Sequence, residues 1–213
     1  VDGANVAYSN QNNEDGQFRY RQIAAVVRKI EMESSQAKIL VIIPRIYMQN
    51  VFPNKVKGGS ARSAGGELSR PLSYLSDDDR AVLSRLSEKD QLYSVPPSSN
   101  DDLFWIYAAV QDSRKGAPAV IATNDKMRDH CFEFMEARPL WRLNAGQVCN
   151  FDLFDMITGE PGATPDELAA RVKLIYPAPF SREMQTQGSG STARRWHVPQ
   201  SDDDHLWLCV QAP

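Results

Sequence analysis

Acidic side chains stand at three points where an apolar segment of this chain meets a loop or a helix. Asp2 directly follows Val1. Asp101 and Asp102 open the run LFWIYAA, and Asp125 ends the segment AVIATND. Neighbouring carboxylates resist joint ionisation unless a cation or water compensates their charge. Sites of this kind suit Mg²⁺ or Mn²⁺, and two such ions can activate a water and stabilise the leaving oxygen of a phosphodiester. The residue types therefore indicate a metal-dependent hydrolase.

A helix cap is the alternative interpretation of each aspartate, because Asp is favoured at helix N-termini whatever the protein does. A single cap of this kind would need no further explanation. Three acidic positions, one of them doubled, favour the metal site, because their mutual repulsion requires a cation.

A parallel sheet is the element that would bring these positions together, since the carboxyl ends of its strands meet at one edge. Continuous apolar runs predict buried strands at residues 39–43 and 119–122, and a shorter strand at 92–95. Helical spacing predicts helices at 18–33, at 77–89 behind the cap Ser76, and at 101–113. Residues 147–151 and 172–176 are candidate edge strands. The sequence thus predicts an α/β three-layer sandwich with a mainly parallel central sheet.

Composition limits the ways in which this chain can meet a partner. It has 213 residues, 42% hydrophobic and 24% charged, with a net charge of −3, so bulk charge does not draw it to nucleic acid. Three separated cysteines do not indicate a secreted disulfide framework, and no apolar run has the length of a membrane span. The basic segment 55–70 is interpreted as a surface loop rather than an RNA contact, and 185–193 as a flexible linker.

The acidic segments also resemble a known family. DGAN at residues 2–5, PPSSNDDLFWIYAA at 96–109 and TNDKMRDH at 123–130 are similar to the three acidic motifs of the NYN metallonuclease domain of protein-only RNase P (PRORP), within the PIN-like nucleases. The resemblance covers residues 1–178. It implies an intracellular endoribonuclease that removes the 5′ leader of precursor tRNA, placed in a mitochondrion or another organelle, with the nucleus as the alternative.

The resemblance also implies roles for individual residues. Two Mg²⁺ or Mn²⁺ ions would be held by Asp2, Asp101, Asp102 and Asp125. Asn5 and Asn100 would orient these carboxylates or their waters, and Arg128 and His130 would contact the scissile phosphate. For His130, a structural hydrogen bond is an equal alternative. Trp105 and Tyr107 are expected in the core rather than under a base, because both fall inside an apolar helix.

The C-terminal segment 179–213 resembles half of the structural zinc site of that family. WHVP at 196–199 and WLC at 207–209 imply that His197 and Cys209 bind Zn²⁺ in the full-length protein, with two cysteines supplied upstream of Val1. By themselves a His and a Cys fall short of the four ligands of a structural zinc site. The resemblance further implies an upstream pentatricopeptide-repeat (PPR) region that binds precursor tRNA, so we expect little activity from residues 1–213 alone.

Other functions fit part of the pattern. A PIN-like ribonuclease of RNA decay would share the acidic motifs, and cleavage away from the tRNA 5′ junction would identify it. A scaffold or RNA-binding subunit of a multi-subunit RNase P would depend on protein partners, although the four aspartates speak against an inactive site. A magnesium-dependent phosphotransferase would need a Gly-rich phosphate loop, and none is visible.

Overall fold

The computed structural model contains both helices and short strands and describes residues 1–10, 17–54, 72–114, 119–125, 148–153, 163–176, 185–187, 195–199 and 207–211. The helices are α1 (Gly3–Ala7), α2 (Tyr20–Glu33), α3 (Asp77–Glu88), α4 (Asp101–Arg114) and α5 (Pro165–Ala170), with one 3₁₀ turn at Arg45–Met48. The strands are β1 (Val41–Pro44), β2 (Val51–Pro53), β3 (Leu72–Tyr74), β4 (Leu92–Val95), β5 (Ile121–Ala122), β6 (Val148–Leu153), β7 (Val172–Ile175), β8 (Gln185–Gln187), β9 (Arg195–Pro199) and β10 (Trp207–Gln211).

Parallel pairing dominates around the acidic positions. β1 pairs with β4 and β5 pairs with β6, both in parallel, while β7 joins β6 antiparallel. The first two residues connect these pairs, because Ile42 donates its N–H to the carbonyl of Val1 (3.0 Å) and Asp2 donates its N–H to the carbonyl of Ala122 (3.1 Å). The predicted α/β class with parallel strands is confirmed. The three-layer arrangement stays a prediction.

Apolar side chains from β1 enter two separate core clusters, as the alternation of a strand requires. Val41 and Ile43 pack in the cluster that includes the buried face of α2, represented by Ile23 and Val26. Ile42 packs in the other cluster with buried residues of α4, β4 and β5. A run such as 39–43, apolar at every position, is what a strand with two covered faces requires.

Helix α4 buries only one side. Trp105, Ile106 and Ala109 are buried, and the prediction that Trp105 belongs to the core is confirmed. The same prediction for Tyr107 is wrong, because its side chain is 65% exposed. A helix turns about 100° per residue, so Tyr107 and Leu103, one turn apart, share the face of α4 that points away from the core.

Local boundaries follow the predicted signals at α3 and differ at several other elements. The strand predicted at 39–43, for example, is observed at Val41–Pro44. α3 begins behind a capping box in which Ser76 and Asp79 exchange hydrogen bonds. The turn expected after Asp2 is the short helix α1, and the strand expected at 119–122 contains only Ile121 and Ala122. The linker prediction for 185–193 is wrong for its first three residues, because β8 pairs antiparallel with β9.

The C-terminal strands β8, β9 and β10 form their own antiparallel sheet, in the order β10-β9-β8. In the described ranges, no helix has the length and apolar character needed to cross a bilayer. The basic loop 55–70 lies outside the described residues, and so do residues 126–147, which directly follow Asp125.

Candidate metal centre

The four predicted acidic residues line one open cleft of about 480 Å³. Asparagine side chains supply much of the rest of the wall, and the described lining residues include no lysine, arginine or histidine. The lining consists of Asp2, Ala4, Asn5, Tyr8, Ser9, Asn10, Asp101, Asp102, Asn124 and Asp125. The structure therefore brings together residues from the N-terminus, the start of α4 and the end of β5.

Asp2 is the most buried of these carboxylates, with 3% of its surface exposed. Its Oδ1 accepts the N–H of Asn5 (3.0 Å), and its Oδ2 accepts the hydroxyl of Thr123 (2.8 Å). Burial raises the pKa of Asp2 from 3.8 to about 6, the two hydrogen bonds oppose that rise, and the charges of Asp101 and Asp102 add to it. A cation bound in the cleft would offset the repulsion between Asp2 and the carboxylates of Asp101 and Asp102.

Gly3 allows the chain to leave the sheet directly after Asp2. A Cβ atom on Gly3 would lie 2.6 Å from Cγ1 of Ile43 and 2.8 Å from the carbonyl oxygen of Ile42. Because real Cβ atoms do not approach other atoms so closely, only glycine lets α1 begin against β1. The position of Asp2 at the cleft thus depends on its neighbour having no side chain.

Asp101 and Asp102 occupy the first turn of α4. The side-chain oxygen of Asn100 accepts the N–H of Asp102 (3.0 Å), which is the bond that an N-cap residue makes. The partial positive charge of a helix N-terminus favours carboxylates there. The buried residues Trp105 and Ile106 anchor the helix behind this pair, so the two carboxylates stand on a packed element.

The segment that ends β5 is held by a set of hydrogen bonds. The side chain of Asn124 donates to the carbonyl of Phe151 (2.8 Å) and accepts the N–H of the same residue (3.0 Å). The N–H of Asn124 is donated to Oδ1 of Asn5 (3.0 Å), and the N–H of Asp125 to the hydroxyl of Thr123 (3.1 Å). The side chain of Asn5 therefore orders the backbone of Asn124, whereas its own N–H orders the carboxylate of Asp2.

Sequence reasoning did not identify Thr123 and Asn124 as site residues. Both stand in the same motif as Asp125, at the end of a buried strand, where polar side chains need hydrogen-bond partners. Their position at the end of a buried strand is the sequence signal that could have identified them as site residues. Asn10 was also missed, and its side chain donates to the carbonyl of Leu153 (3.0 Å) on β6.

The donor set fits a hard divalent cation. Carboxylate and amide oxygens are the protein ligands of Mg²⁺, which keeps several waters and needs few direct protein contacts. Within the described ranges, no group of three or more His, Cys, Asp or Glu side chains is gathered closely enough to hold an ion by itself. The acidic residues line the walls of an open cleft, which leaves room for water and for a substrate phosphate.

Two predicted zinc ligands meet in the C-terminal sheet. Cys209 on β10 is the cross-strand partner of His197 on β9, and Sγ of Cys209 lies 3.0 Å from Nδ1 of His197. Directly opposite positions on two antiparallel strands bring the two side chains into hydrogen-bond contact. Arg128 and His130, predicted to contact the scissile phosphate, lie outside the described residues.

Comparisons with known proteins agree with the acidic motifs. The family model for protein-only RNase P matches residues 70–147, a range that includes Asp101, Asp102 and Asp125 and does not reach Asp2. Proteinaceous RNase P 1 of Arabidopsis thaliana, chloroplastic and mitochondrial by its name, is 28% identical over 218 residues, covering 99% of this chain and 30% of the relative. Proteinaceous RNase P 2 of the same plant is 25% identical over 216 residues, covering 99% and 32%.

A solved structure described as Arabidopsis thaliana nuclear protein-only RNase P 2 matches with a TM-score of 0.59 at 25% identity, covering 98% of this chain and 35% of that chain. A crystal structure of the same protein gives a TM-score of 0.58 at 24% identity, covering 98% and 36%. The chain thus spans about a third of the length of the relatives that it matches. The resemblance to protein-only RNase P is confirmed.

Proposed function

We propose that this chain provides the nuclease chemistry of a protein-only RNase P, the metal-dependent hydrolysis that removes the 5′ leader of precursor tRNA. The observation that carries the proposal is the single cleft lined by Asp2, Asp101, Asp102 and Asp125, the positions of the three acidic motifs. Its relatives are named as RNase P proteins. Because the chain covers only part of them, the activity of the whole protein is part of the proposal.

The four carboxylates would hold two Mg²⁺ or Mn²⁺ ions directly or through water. When bound, such ions lower the pKa of a coordinated water and neutralise charge on the leaving oxygen. The chain's own contribution is to hold acidic groups on three separate elements around one open space. We further propose that Arg128 supplies a guanidinium for the scissile phosphate, because its planar donors fit phosphate oxygens. His130 is proposed for the same phosphate, and its alternative is a structural hydrogen bond.

Binding of RNA is proposed to depend on further residues or partners. The net charge of the chain is −3, and the described lining of the cleft has no cationic side chain. Phosphate neutralisation supplies most non-specific affinity for nucleic acid. A PPR region upstream in the same protein, or protein partners in a multi-subunit RNase P, would provide it.

Finer features of the domain are also proposed. Residues 1–178 would form the NYN metallonuclease, a three-layer sandwich, because apolar side chains of β1 enter two separate core clusters. Residues 179–213 would form the zinc-bridging module with His197 and Cys209.

An organelle is the proposed compartment and the nucleus the alternative. Imaging of a tagged full-length gene product would decide between them.

The test of the nuclease is cleavage of a labelled precursor tRNA in Mg²⁺ by the full-length product of the gene and by residues 1–213. Asp101→Asn and Asp102→Asn remove one charge each at the cleft. Asp78→Asn, at an exposed position in the first turn of α3, is the matched control for a lost charge at a helix N-terminus. We expect each cleft variant to lose about 10²-fold or more in rate, within the range for removal of a single catalytic electrostatic contact, and the control to keep the wild-type rate.

The products decide between this function and its alternatives. A single cut at the 5′ junction, leaving a 5′ phosphate and a 3′ hydroxyl, supports RNase P. Cuts spread over unrelated RNA would indicate a ribonuclease of RNA decay. Cleavage by both cleft variants at the wild-type rate would contradict the metal assignment.

A further inference from the structure

We infer that Thr123 is a positioning residue that fixes two acidic positions of the cleft against each other through one hydroxyl group. The inference rests on the proposed function for its role in catalysis, but the geometry stands by itself. The hydroxyl connects Asp2, at the start of the chain, with Asp125, at the end of β5. Asp2 lies 121 positions before Thr123 in the sequence, whereas Asp125 lies only two positions after it.

The hydrogen bonds of Thr123 have defined directions. Its Oγ1 lies 2.8 Å from Oδ2 of Asp2 and 3.1 Å from the backbone nitrogen of Asp125. An amide nitrogen can only donate, so the hydroxyl accepts there and its single proton is left for the carboxylate of Asp2. Thr123 is fully buried, so water cannot easily replace either bond. Among side chains of this size, only threonine and serine can make both contacts.

The backbone that carries this hydroxyl is itself fixed. Ala122 accepts the N–H of Asp2 within the sheet. On the other side, Asn124 binds both backbone groups of Phe151 through its side chain. Thr123 therefore cannot shift to follow a carboxylate that rotates. Instead, the carboxylate is held in the orientation that the hydroxyl sets.

This orientation leaves the carboxylate able to bind a cation. Oδ1 of Asp2 accepts one hydrogen bond from Asn5, and Oδ2 accepts one from Thr123. Since an ionised carboxylate offers about four lone-pair sites, each oxygen keeps capacity for an ion or for its water. Hydrogen-bond partners of metal ligands typically change metal affinity or activity by about 10–100-fold when removed. We expect an effect of that size from loss of this hydroxyl.

The experiment compares Thr123→Val, which keeps the shape and removes the hydroxyl, with Thr123→Ser, which keeps the hydroxyl. The control is Ser94→Ala on β4, whose hydroxyl makes no hydrogen bond within the part of the chain that the structure describes. Three readouts are measured on residues 1–213 and on the full-length gene product. They are Mn²⁺ affinity by calorimetry, the Mg²⁺ concentration for half-maximal cleavage of precursor tRNA, and thermal unfolding in chelator.

We expect Thr123→Val to weaken Mn²⁺ binding by about 10–100-fold. The Mg²⁺ concentration that it needs for half-maximal cleavage of precursor tRNA should rise correspondingly. Thr123→Ser should restore wild-type affinity, and the control should match wild type. A lower melting temperature in chelator with unchanged Mn²⁺ affinity would show a merely structural role and overturn the inference. Failure of wild type to bind Mn²⁺ at millimolar concentrations would also overturn it.

The two proposals fail in different ways. If the full-length wild type does not cleave precursor tRNA but Thr123→Val still weakens Mn²⁺ binding, the RNase P function is wrong and the role of Thr123 stands. If wild type cleaves and Thr123→Val binds Mn²⁺ as tightly, the function stands and the role of Thr123 is wrong.

Discussion

Replacing Asp2 with asparagine should make the metal-free protein more stable at neutral pH while removing a proposed metal ligand. The carboxyl of Asp2 is buried, and its pKa is raised from 3.8 to about 6. The folded state therefore holds this proton more tightly than the unfolded state does. The stability that protonation provides is complete below pH 3.8 and is lost as the pH rises through about 6. At pH 8 the ionised carboxylate lowers the free energy of unfolding.

The size of this effect follows from the same values. A rise from 3.8 to about 6 corresponds to about 3 kcal/mol at neutral pH. An asparagine amide would donate to Thr123, whose hydroxyl proton then loses its acceptor, at a cost of about 1 kcal/mol. We expect Asp2→Asn to gain about 2 kcal/mol at pH 8 in chelator, or about 4–8 °C in melting temperature for a chain of this length.

The assay is urea unfolding in chelator at several pH values from 4 to 8, followed by thermal unfolding with and without Mg²⁺. The gain of Asp2→Asn should shrink as the pH falls toward 4, and added Mg²⁺ should stabilise wild type more than the variant. Asp78→Asn serves as the exposed control and should stay within about 0.5 kcal/mol of wild type throughout. A variant less stable than wild type at pH 8, or a difference that does not change with pH, would refute the reasoning.

Two further substitutions test the frame around the cleft and the C-terminal sheet. Gly3→Ala places a methyl group against Ile43 and the carbonyl of Ile42, so we expect a loss of about 1–3 kcal/mol, measured by urea unfolding; an unchanged midpoint would contradict the close approach. Cys209→Ser should lower the zinc content of the full-length gene product, because the sulfur lies beside His197. The zinc content is measured by mass spectrometry after dialysis. Equal zinc in the variant and in wild type would exclude Cys209 as a ligand.

Elements with a strong local signal were predictable from the sequence. The strand at 92–95 was predicted at the bounds at which β4 is observed, and α3 begins behind the predicted cap Ser76. The short helix α1 was missed because five residues carry too little periodicity to distinguish a helix from a turn. Tyr107 was misplaced because an apolar run does not show which side of a helix the sheet will cover.

The carboxylates of the site were predictable by type, whereas their supports were not. Aspartates at strand ends draw attention in a sequence because their repulsion needs an explanation. Thr123 and Asn124 look like ordinary residues of a strand end, and their roles depend on partners more than twenty positions away. Hydrogen bonds between distant segments are set by tertiary structure, which a local pattern does not report.

The side chains of Asn124 and Asn10 have a consequence for strand pairing as well as for the cleft. β5 stops after two residues, and β6 continues to Leu153 with one edge that no strand of the described ranges pairs beyond Cys149. An unpaired strand edge is a template for addition of another chain. The amide of Asn124 binds Phe151 and that of Asn10 binds Leu153, so polar side chains protect the edge where a strand is missing. Among the described residues, this edge of β6 is thus bound at Phe151 and Leu153 by side-chain amides rather than by a further strand.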